Sequence, residues 1–311
     1  MPERQYRWLP HSDVLTFEEI AVVVEAVTRL GVSKIRLTGG EPLRRRDLTR
    51  LVKQISAHRD VGELAMTTNG VLLAEHAAEL RAAGLDRVTV SLDTLRPLRF
   101  AALAGRDAHH RVLAGIAAAR AAGFPDLKID TVVVRGVNDD ELMDLLAFGR
   151  EVGAEVRFIE YMDVGGATRW ATEKVVSRAE MLEAIEGGCG PVEPMGDRGS
   201  RPAERFRLRD GTTFGIIAST TAPFCGACDR ARLTADGGLY PCLYARAGFS
   251  LRALLRAGAG PGELAARIAE LWAARDARGA EQRLAIGERG PLLPAASLRR
   301  QPHLEMHMRG G

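Results

Sequence analysis

Three cysteines and two arginines crowd into residues 224–242, FCGACDRARLTADGGLYPC. Cys225 and Cys228 form a C-x-x-C pair, and thirteen residues separate Cys228 from Cys242. Two thiolates thus come from a tight turn and a third from a returning strand. Such a set binds metal, and three thiolates leave one position open on a zinc or iron centre, where a ligand or substrate can attach. The pair alone would also suit a redox dithiol or two buried thiols. The third cysteine, with Arg230 and Arg232 beside it, favours the metal site, while the spacing leaves iron–sulfur and zinc both open. A structural zinc would want a fourth protein ligand. The remaining cysteine, Cys189, lies in a glycine-rich run and is expected to be a small buried or loop thiol. None of the seven histidines lies near the set in sequence.

The elements that must position these groups follow a repeated order. Ile20, Val23, Val24, Val27 and Leu30 recur at helical spacing behind the capping box Thr16 and Glu19, which predicts a helix over 17–30. A strand over 34–38 follows. Helix and strand then alternate: 47–57 and 63–67, 73–83 and 87–92, 109–122 and 127–134, 139–152 and 155–161. This alternation predicts parallel βα units, in a barrel or an open α/β sheet.

Lys34, Arg36 and Thr38 share one strand face, as do Arg87, Thr89, Ser91 and Asp93; Ile35, Leu37, Val88, Val90 and Leu92 lie opposite. Side chains alternate across a strand, so the apolar sets are expected against the helices and the polar sets inside. Lys128 with Asp130, and Arg157 with Tyr161, extend the pattern. A packed barrel interior is filled with Val, Ile and Leu, so this one is expected to hold a polar, anionic, phosphate-bearing ligand. The plainer alternative is internal ion pairing among the charges. Gly39-Gly40-Glu41-Pro42, Thr67-Thr68-Asn69-Gly70, Ser91-Leu92-Asp93 and Tyr161-Met162-Asp163 fall at strand carboxyl ends, where such folds carry their chemistry. The glycines let backbone approach a ligand, and Glu41 offers a carboxylate to an ammonium.

After 163 the rhythm changes, and the chain divides into 1–163 and 164–311. A short helix over 181–185, a Gly- and Pro-containing boundary over 187–201 and a hairpin over 205–217 turning at Asp210-Gly211 are predicted. The cysteine segment turns a second hairpin at Asp236-Gly237-Gly238. Helices over 251–257 and 262–274 precede an irregular tail that ends in Gly310-Gly311.

The 311 residues, 46% of them hydrophobic, are enough for a barrel-sized domain and an extension. A net charge of +3 with 27% charged residues points to neither nucleic acid nor a membrane surface, so anion binding must be local. Four cysteines, no secretory signal and no apolar run long enough to span a bilayer indicate a reducing, cytoplasmic setting.

With Arg36 to Pro42 (RLTGGEP), Thr67-Thr68-Asn69-Gly70, Val90-Ser91-Leu92-Asp93, Arg157-Phe158-Ile159-Glu160, the cysteine set with Arg230 and Arg232, and the terminal Gly-Gly, the chain resembles the GTP 3',8-cyclases of molybdenum cofactor biosynthesis, radical S-adenosylmethionine (SAM) enzymes. The resemblance runs from about residue 9 to the end. It implies an incomplete TIM-type barrel of parallel βα units with a C-terminal extension carrying an iron–sulfur site. It implies that Gly40, Ser91 and Met162 contact SAM, with Gly39 and Glu41 in the same loop. Arg36, Thr67 and Lys128 would contact GTP, joined by Arg230, Arg232, Arg157 and the terminal Gly310 and Gly311. Cys225, Cys228 and Cys242 would hold a [4Fe-4S] cluster whose open iron binds the guanine, which selects iron–sulfur over zinc. A homodimer and a downstream partner, cyclic pyranopterin monophosphate synthase, belong to the same implication.

The family also carries C-x-x-x-C-x-x-C after its first barrel strand, for the cluster that cleaves SAM, and no cysteine precedes Cys189 here. The expectation is therefore that the first strand and its cysteine loop are cut from this sequence. Strand 34–38 would then be an unpaired edge. The chain as given would keep the second cluster and GTP affinity but would not form 5'-deoxyadenosine. A peptide-modifying radical SAM enzyme and a non-catalytic GTP- or cluster-binding remnant are the competing readings. The former usually has more C-terminal cysteines.

Overall fold

Thr16 opens the first helix by reciprocal capping. Its hydroxyl accepts from the Glu19 amide at 3.1 Å, and the Glu19 carboxylate accepts from the Thr16 amide at 2.8 Å. The computed structural model describes residues 9–300 and 306–309. Helix α1 (Phe17–Thr28) leads to β1 (Lys34–Leu37), and the repeat continues through α2 (Leu48–Ser56), β2 (Glu63–Thr68), α3 (Leu73–Ala82) and β3 (Arg87–Ser91). Next come α4 (Pro97–Ala104), α5 (His109–Ala121), β4 (Lys128–Val133), α6 (Leu142–Val152) and β5 (Glu155–Glu160). Every predicted βα unit forms. Helix α4 was not anticipated, although Pro97 in its first turn and the left-handed Gly105 at its end are ordinary start and stop signals.

Strands β1 to β5 pair in parallel and in sequence order. Their apolar faces meet the helices: Leu64, Met66, Val88, Val90, Ile129 and Val156 are all at or below 1% exposure. Among the described residues β1 pairs only with β2, so it is the open edge expected of it, and the sheet does not close into a barrel.

The second half follows as α7 (Arg178–Cys189), β6 (Val192–Pro194), β7 (Glu204–Leu208), β8 (Thr213–Ile217), β9 (Arg232–Leu233), β10 (Gly238–Tyr240) and β11 (Phe249–Ser250). Helices α8 (Leu251–Arg256), α9 (Pro261–Ala273), α10 (Gly279–Leu284), α11 (Ala295–Arg300) and α12 (Met306–Arg309) complete it. The predicted β7–β8 hairpin forms. In addition β8 docks parallel to β5, so one eight-stranded sheet, β1-β2-β3-β4-β5-β8-β7-β6, runs through the boundary at residue 163. The Phe214 ring lies 5.4 Å from that of Phe206 and 6.4 Å from that of Phe158. An apolar run buried on both faces belongs inside a sheet, and β8 is such a run.

Two expectations are corrected. Helix α7 is twelve residues long, started by a Ser177–Glu180 capping box, and Cys189 is its exposed last residue, neither buried nor in a loop. The tail after α9 is not irregular throughout, since α10, α11 and α12 lie in it. The chain's two halves also share a core, in which Val23 and Ala26 of α1 pack with Leu239, Leu251, Leu264, Ala265 and Ile268. No helix among the described residues is long and apolar enough to cross a membrane.

Candidate functional site: a charged sheet face and a cysteine lobe

Parallel register aligns the polar face. Thr67 stands opposite Thr89, Thr89 opposite Lys128 and Lys128 opposite Glu155; one step toward the carboxyl ends, Ser91, Asp130 and Arg157 align. Arg36 Nη1 donates to Thr67 Oγ1 at 2.9 Å and to Thr89 Oγ1 at 3.2 Å. Arg87 pairs with Glu63. Glu155 gathers three cations: Arg157 at 2.9 Å, Arg205 of β7 at 2.8 Å and Lys128 at 3.9 Å. Internal pairing therefore exists, as the plainer alternative required, but the five cations Arg36, Arg87, Lys128, Arg157 and Arg205 face the four carboxylates Glu63, Asp93, Asp130 and Glu155. The excess is positive. Lys128 is only 6% exposed. Burial, and next Arg157, push its pKa down to about 8. Arg36 sits on the open edge, yet protein atoms on its sheet side desolvate the guanidinium, and with Arg87 nearby its pKa falls below the ordinary value. Gly215 keeps this face open, because a Cβ there would lie 3.3 Å from Arg157 Cγ and 3.1 Å from Ala203 Cβ.

At the carboxyl ends, Gly39 has φ +136°, a region that side chains rarely allow. Glu41 is engaged within the protein. Its carboxylate accepts from Thr68 Oγ1 at 2.7 Å, the Asn69 amide at 2.7 Å and the Leu43 amide at 3.1 Å. It ties the loops after β1 and β2 together through these bonds. Ser91 is exposed at the end of β3. Met162, just past β5, packs against the small core of Val164, Tyr244 and Ala280, as do Cys225 and Cys242.

The cysteine lobe has few regular hydrogen bonds of its own. Cys225 opens a single 3-10 turn, Cys228 follows it, and Cys242 lies beyond the two short strands β9 and β10. Burial would raise the Cys228 pKa, but the backbone and guanidinium of Arg230 outweigh it and favour thiolate; Arg230 Nη2 is 3.4 Å from Cys228 Sγ. Burial, then Arg230 and Arg309, lower the Arg232 pKa to about 10. Arg232 Nη1 reaches the Arg309 carbonyl at 3.3 Å, and the Arg309 guanidinium lies 4.4 Å over the Tyr240 ring. The last described residue thus docks against the hairpin that carries the cysteines. Gly310 and Gly311 lie outside the described residues. A cavity of about 230 Å³ opens beside Cys242, lined by Tyr244, Gly279, Gln282 and Arg283 among others.

Asp163 fastens this lobe to the sheet, a role hidden from sequence. It is 1% exposed and pairs with Arg283 at 2.6 Å and Arg289 at 3.0 Å, while Tyr244 donates to it at 3.0 Å. Burial would raise its pKa, but hydrogen bonds from Arg289 and Arg283 hold it below the ordinary value. Glu160 does similar work at the end of β5, accepting from the amides of Thr220 and Thr221 at 2.8 Å each and from Arg178 N at 2.8 Å. Gly279 lets α10 press onto the lobe, since a Cβ there would fall 2.3 Å from Tyr244 Cβ and 3.2 Å from Cys242 Sγ.

Three thiols with one biased toward thiolate form a donor set that fits a metal centre. Among the described residues no three His, Cys, Asp or Glu side chains converge on one point as a single ion would require. A cluster spreads its thiolates over several irons and does not ask for one point of convergence.

Residues 2–149 match the Radical SAM superfamily, and residues 154–281 match Molybdenum Cofactor Synthesis C. The GTP 3',8-cyclase 1 of Mycobacterium tuberculosis is 57% identical over 315 residues, covering 100% of this chain and 88% of that protein. The GTP 3',8-cyclase of Acidothermus cellulolyticus is 48% identical over 285 residues, covering 89% of this chain and 78% of its own length. Among solved structures, Streptococcus suis SuiB bound to S-adenosylmethionine superposes with a TM-score of 0.60 at 14% identity, over 90% of this chain and 65% of that one, a likeness of fold.

Proposed function

The chain belongs to the GTP 3',8-cyclase family of radical SAM enzymes, and we propose that it serves the conversion of GTP to 3',8-cyclo-7,8-dihydro-GTP, the first step of molybdenum cofactor biosynthesis. The observation that carries this reading is the cationic excess on the sheet face, with buried Lys128 at its centre. Arg36, Lys128 and Arg157 would hold the triphosphate, with Thr67 beside them, and each charge-assisted hydrogen bond contributes about 1.5–3 kcal/mol. Gly39, Gly40, Ser91 and Met162 would line the SAM end. Arg230 and Arg232 would flank the guanine, and the terminal Gly310 and Gly311 are proposed for the same GTP set. Cys225, Cys228 and Cys242 would hold a [4Fe-4S] cluster. That cluster would supply an open iron for the guanine, whereas removal of the C3' hydrogen of GTP would need the electron that a separate SAM-cleaving cluster delivers. The chain's own residues bind, orient and neutralise. A homodimer in the cytoplasm that passes its product to cyclic pyranopterin monophosphate synthase completes the reading.

The ligands of a SAM-cleaving cluster are not among the four cysteines of this sequence, so turnover would need a segment that supplies C-x-x-x-C-x-x-C. The test compares this chain with one extended through the upstream reading frame, after anaerobic reconstitution and reduction with GTP and SAM. The expected result is that both bind GTP and only the extended chain yields 5'-deoxyadenosine and the cyclised nucleotide. Absence of GTP binding would overturn the reading. Formation of 5'-deoxyadenosine by this chain alone would overturn the assignment of the missing ligands.

A further inference from the structure

Asp130 sits in the middle of the charged sheet face; the residue is half-buried, and its Oδ1 is covered with no hydrogen-bond donor among the described residues. The surrounding donors are committed elsewhere. Arg157, Arg205 and Lys128 gather on Glu155, and Arg36 donates to Thr67 and Thr89. Arg157, Arg36 and Lys128 all act on Asp130 through their charge without closing on it, and burial, the largest influence, raises its pKa. A buried carboxylate oxygen without a donor is costly unless a ligand supplies one.

Register says which part of a nucleotide would reach it. Asp130 lies in line with Ser91 on one side and Arg157 on the other, and two residues beyond Lys128 on the same strand face. With phosphates on the Lys128 level and SAM at the carboxyl ends, the sugar between them falls at the height of Asp130. Phosphate oxygens are largely deprotonated at neutral pH and repel a carboxylate. Ribose hydroxyls are the O–H donors at that point of the molecule.

We infer that Asp130 accepts a hydrogen bond from a ribose hydroxyl of the bound GTP, and so orients the sugar and selects ribonucleotides over deoxyribonucleotides. The inference rests on the GTP reading above, and SAM carries ribose hydroxyls as well, so the experiment separates the two sources. Equilibrium dialysis would measure GTP, 2'-deoxy-GTP, 3'-deoxy-GTP, tripolyphosphate and SAM on the unmodified chain, Asp130→Asn and Asp130→Ala. The unmodified chain is expected to hold GTP about tenfold or more over at least one deoxy analogue, the size of one hydrogen bond to a charged acceptor. Asp130→Ala should erase that preference, and Asp130→Asn, which keeps an amide oxygen, should retain part of it. Both variants should bind tripolyphosphate at least as tightly as the parent, since a negative charge has left the face; this also reports that they are folded. A mere counter-charge would give that tightening with selectivity unchanged in Asp130→Ala, and such a result overturns the inference. So does an unmodified chain without ribose selectivity, or a variant that loses SAM affinity while keeping GTP selectivity. If the unmodified chain binds neither GTP nor tripolyphosphate, the GTP reading falls and takes this inference with it.

Discussion

The charged sheet face and the cysteine lobe are both rich in arginine, yet they are held in place by different means. On the sheet, Thr89, Lys128 and Glu155 are fixed by strand register, and the backbone that carries them is buried beneath helices packed on Val88, Ile129 and Val156. Its cations are in position before any ligand arrives. In the lobe, the cysteines sit on one 3-10 turn and beside strands of two and three residues, over a thin core of Val164, Tyr244 and Ala280. What fastens it is a buried carboxylate, Asp163, with partners more than eighty residues away in sequence. A site built on register is preorganised by the fold. A site built on a loop depends on cross-links, ionic or metallic.

The most severe way to test that contrast is Cys242→Ser. After anaerobic reconstitution, iron bound to the lobe should fall from about four per chain to nearly none, while tripolyphosphate affinity on the sheet face stays within about twofold. Retained iron would break the contrast, as would loss of the sheet's affinity. Next in size is Asp163→Asn, which leaves the guanidinium groups of Arg283 and Arg289 without their shared carboxylate in a buried setting, a loss of about 3–5 kcal/mol. Urea unfolding followed by limited proteolysis should show cleavage after 220 at denaturant concentrations where the sheet remains intact. A single cooperative transition, merely shifted, would mean that lobe and sheet are one unit.

The smallest effect concerns pH. Lys128 has a folded pKa of about 8 against an ordinary 10.5. Between those values the unfolded chain binds a proton that the folded chain lacks, so this group makes stability rise with pH across that window. Triphosphate binding needs the charged ammonium, so affinity should fall several-fold as pH climbs through 8. Opposite slopes for melting temperature and GTP affinity between pH 8 and 10 are expected, and Lys128→Met should flatten both. Parallel slopes would show that Lys128 does not face the ligand.

Much of the sheet site was legible in the chain. Alternation put Arg36, Thr89, Lys128 and Arg157 on one face, because side-chain direction follows from a period of two, and the capping box at Thr16 marked the observed start of the first helix at Phe17. The lobe was legible only as a list of ligands. Glu41 was legible as a carboxylate in a strand-end loop, but its clasp between two loops was not, because its partners Thr68 and Asn69 lie 27 and 28 residues away. Cys189 looked like a loop thiol because glycines at 187 and 188 hid the end of a capped helix.

By itself the sequence determined the βα rhythm, the polar and apolar strand faces, the metal-type cysteine spacing and the family resemblance, all of which are local periodicities or short motifs. The tertiary structure alone decided that β8 extends the sheet beside β5, that Glu155 gathers three cations, that Asp130 Oδ1 has no donor among the described residues, and that Asp163 ties the lobe down. Those facts depend on which distant segments meet. Pairing across that distance is chosen by the burial of whole faces such as Phe214 against Phe158 and Phe206, which no local pattern encodes.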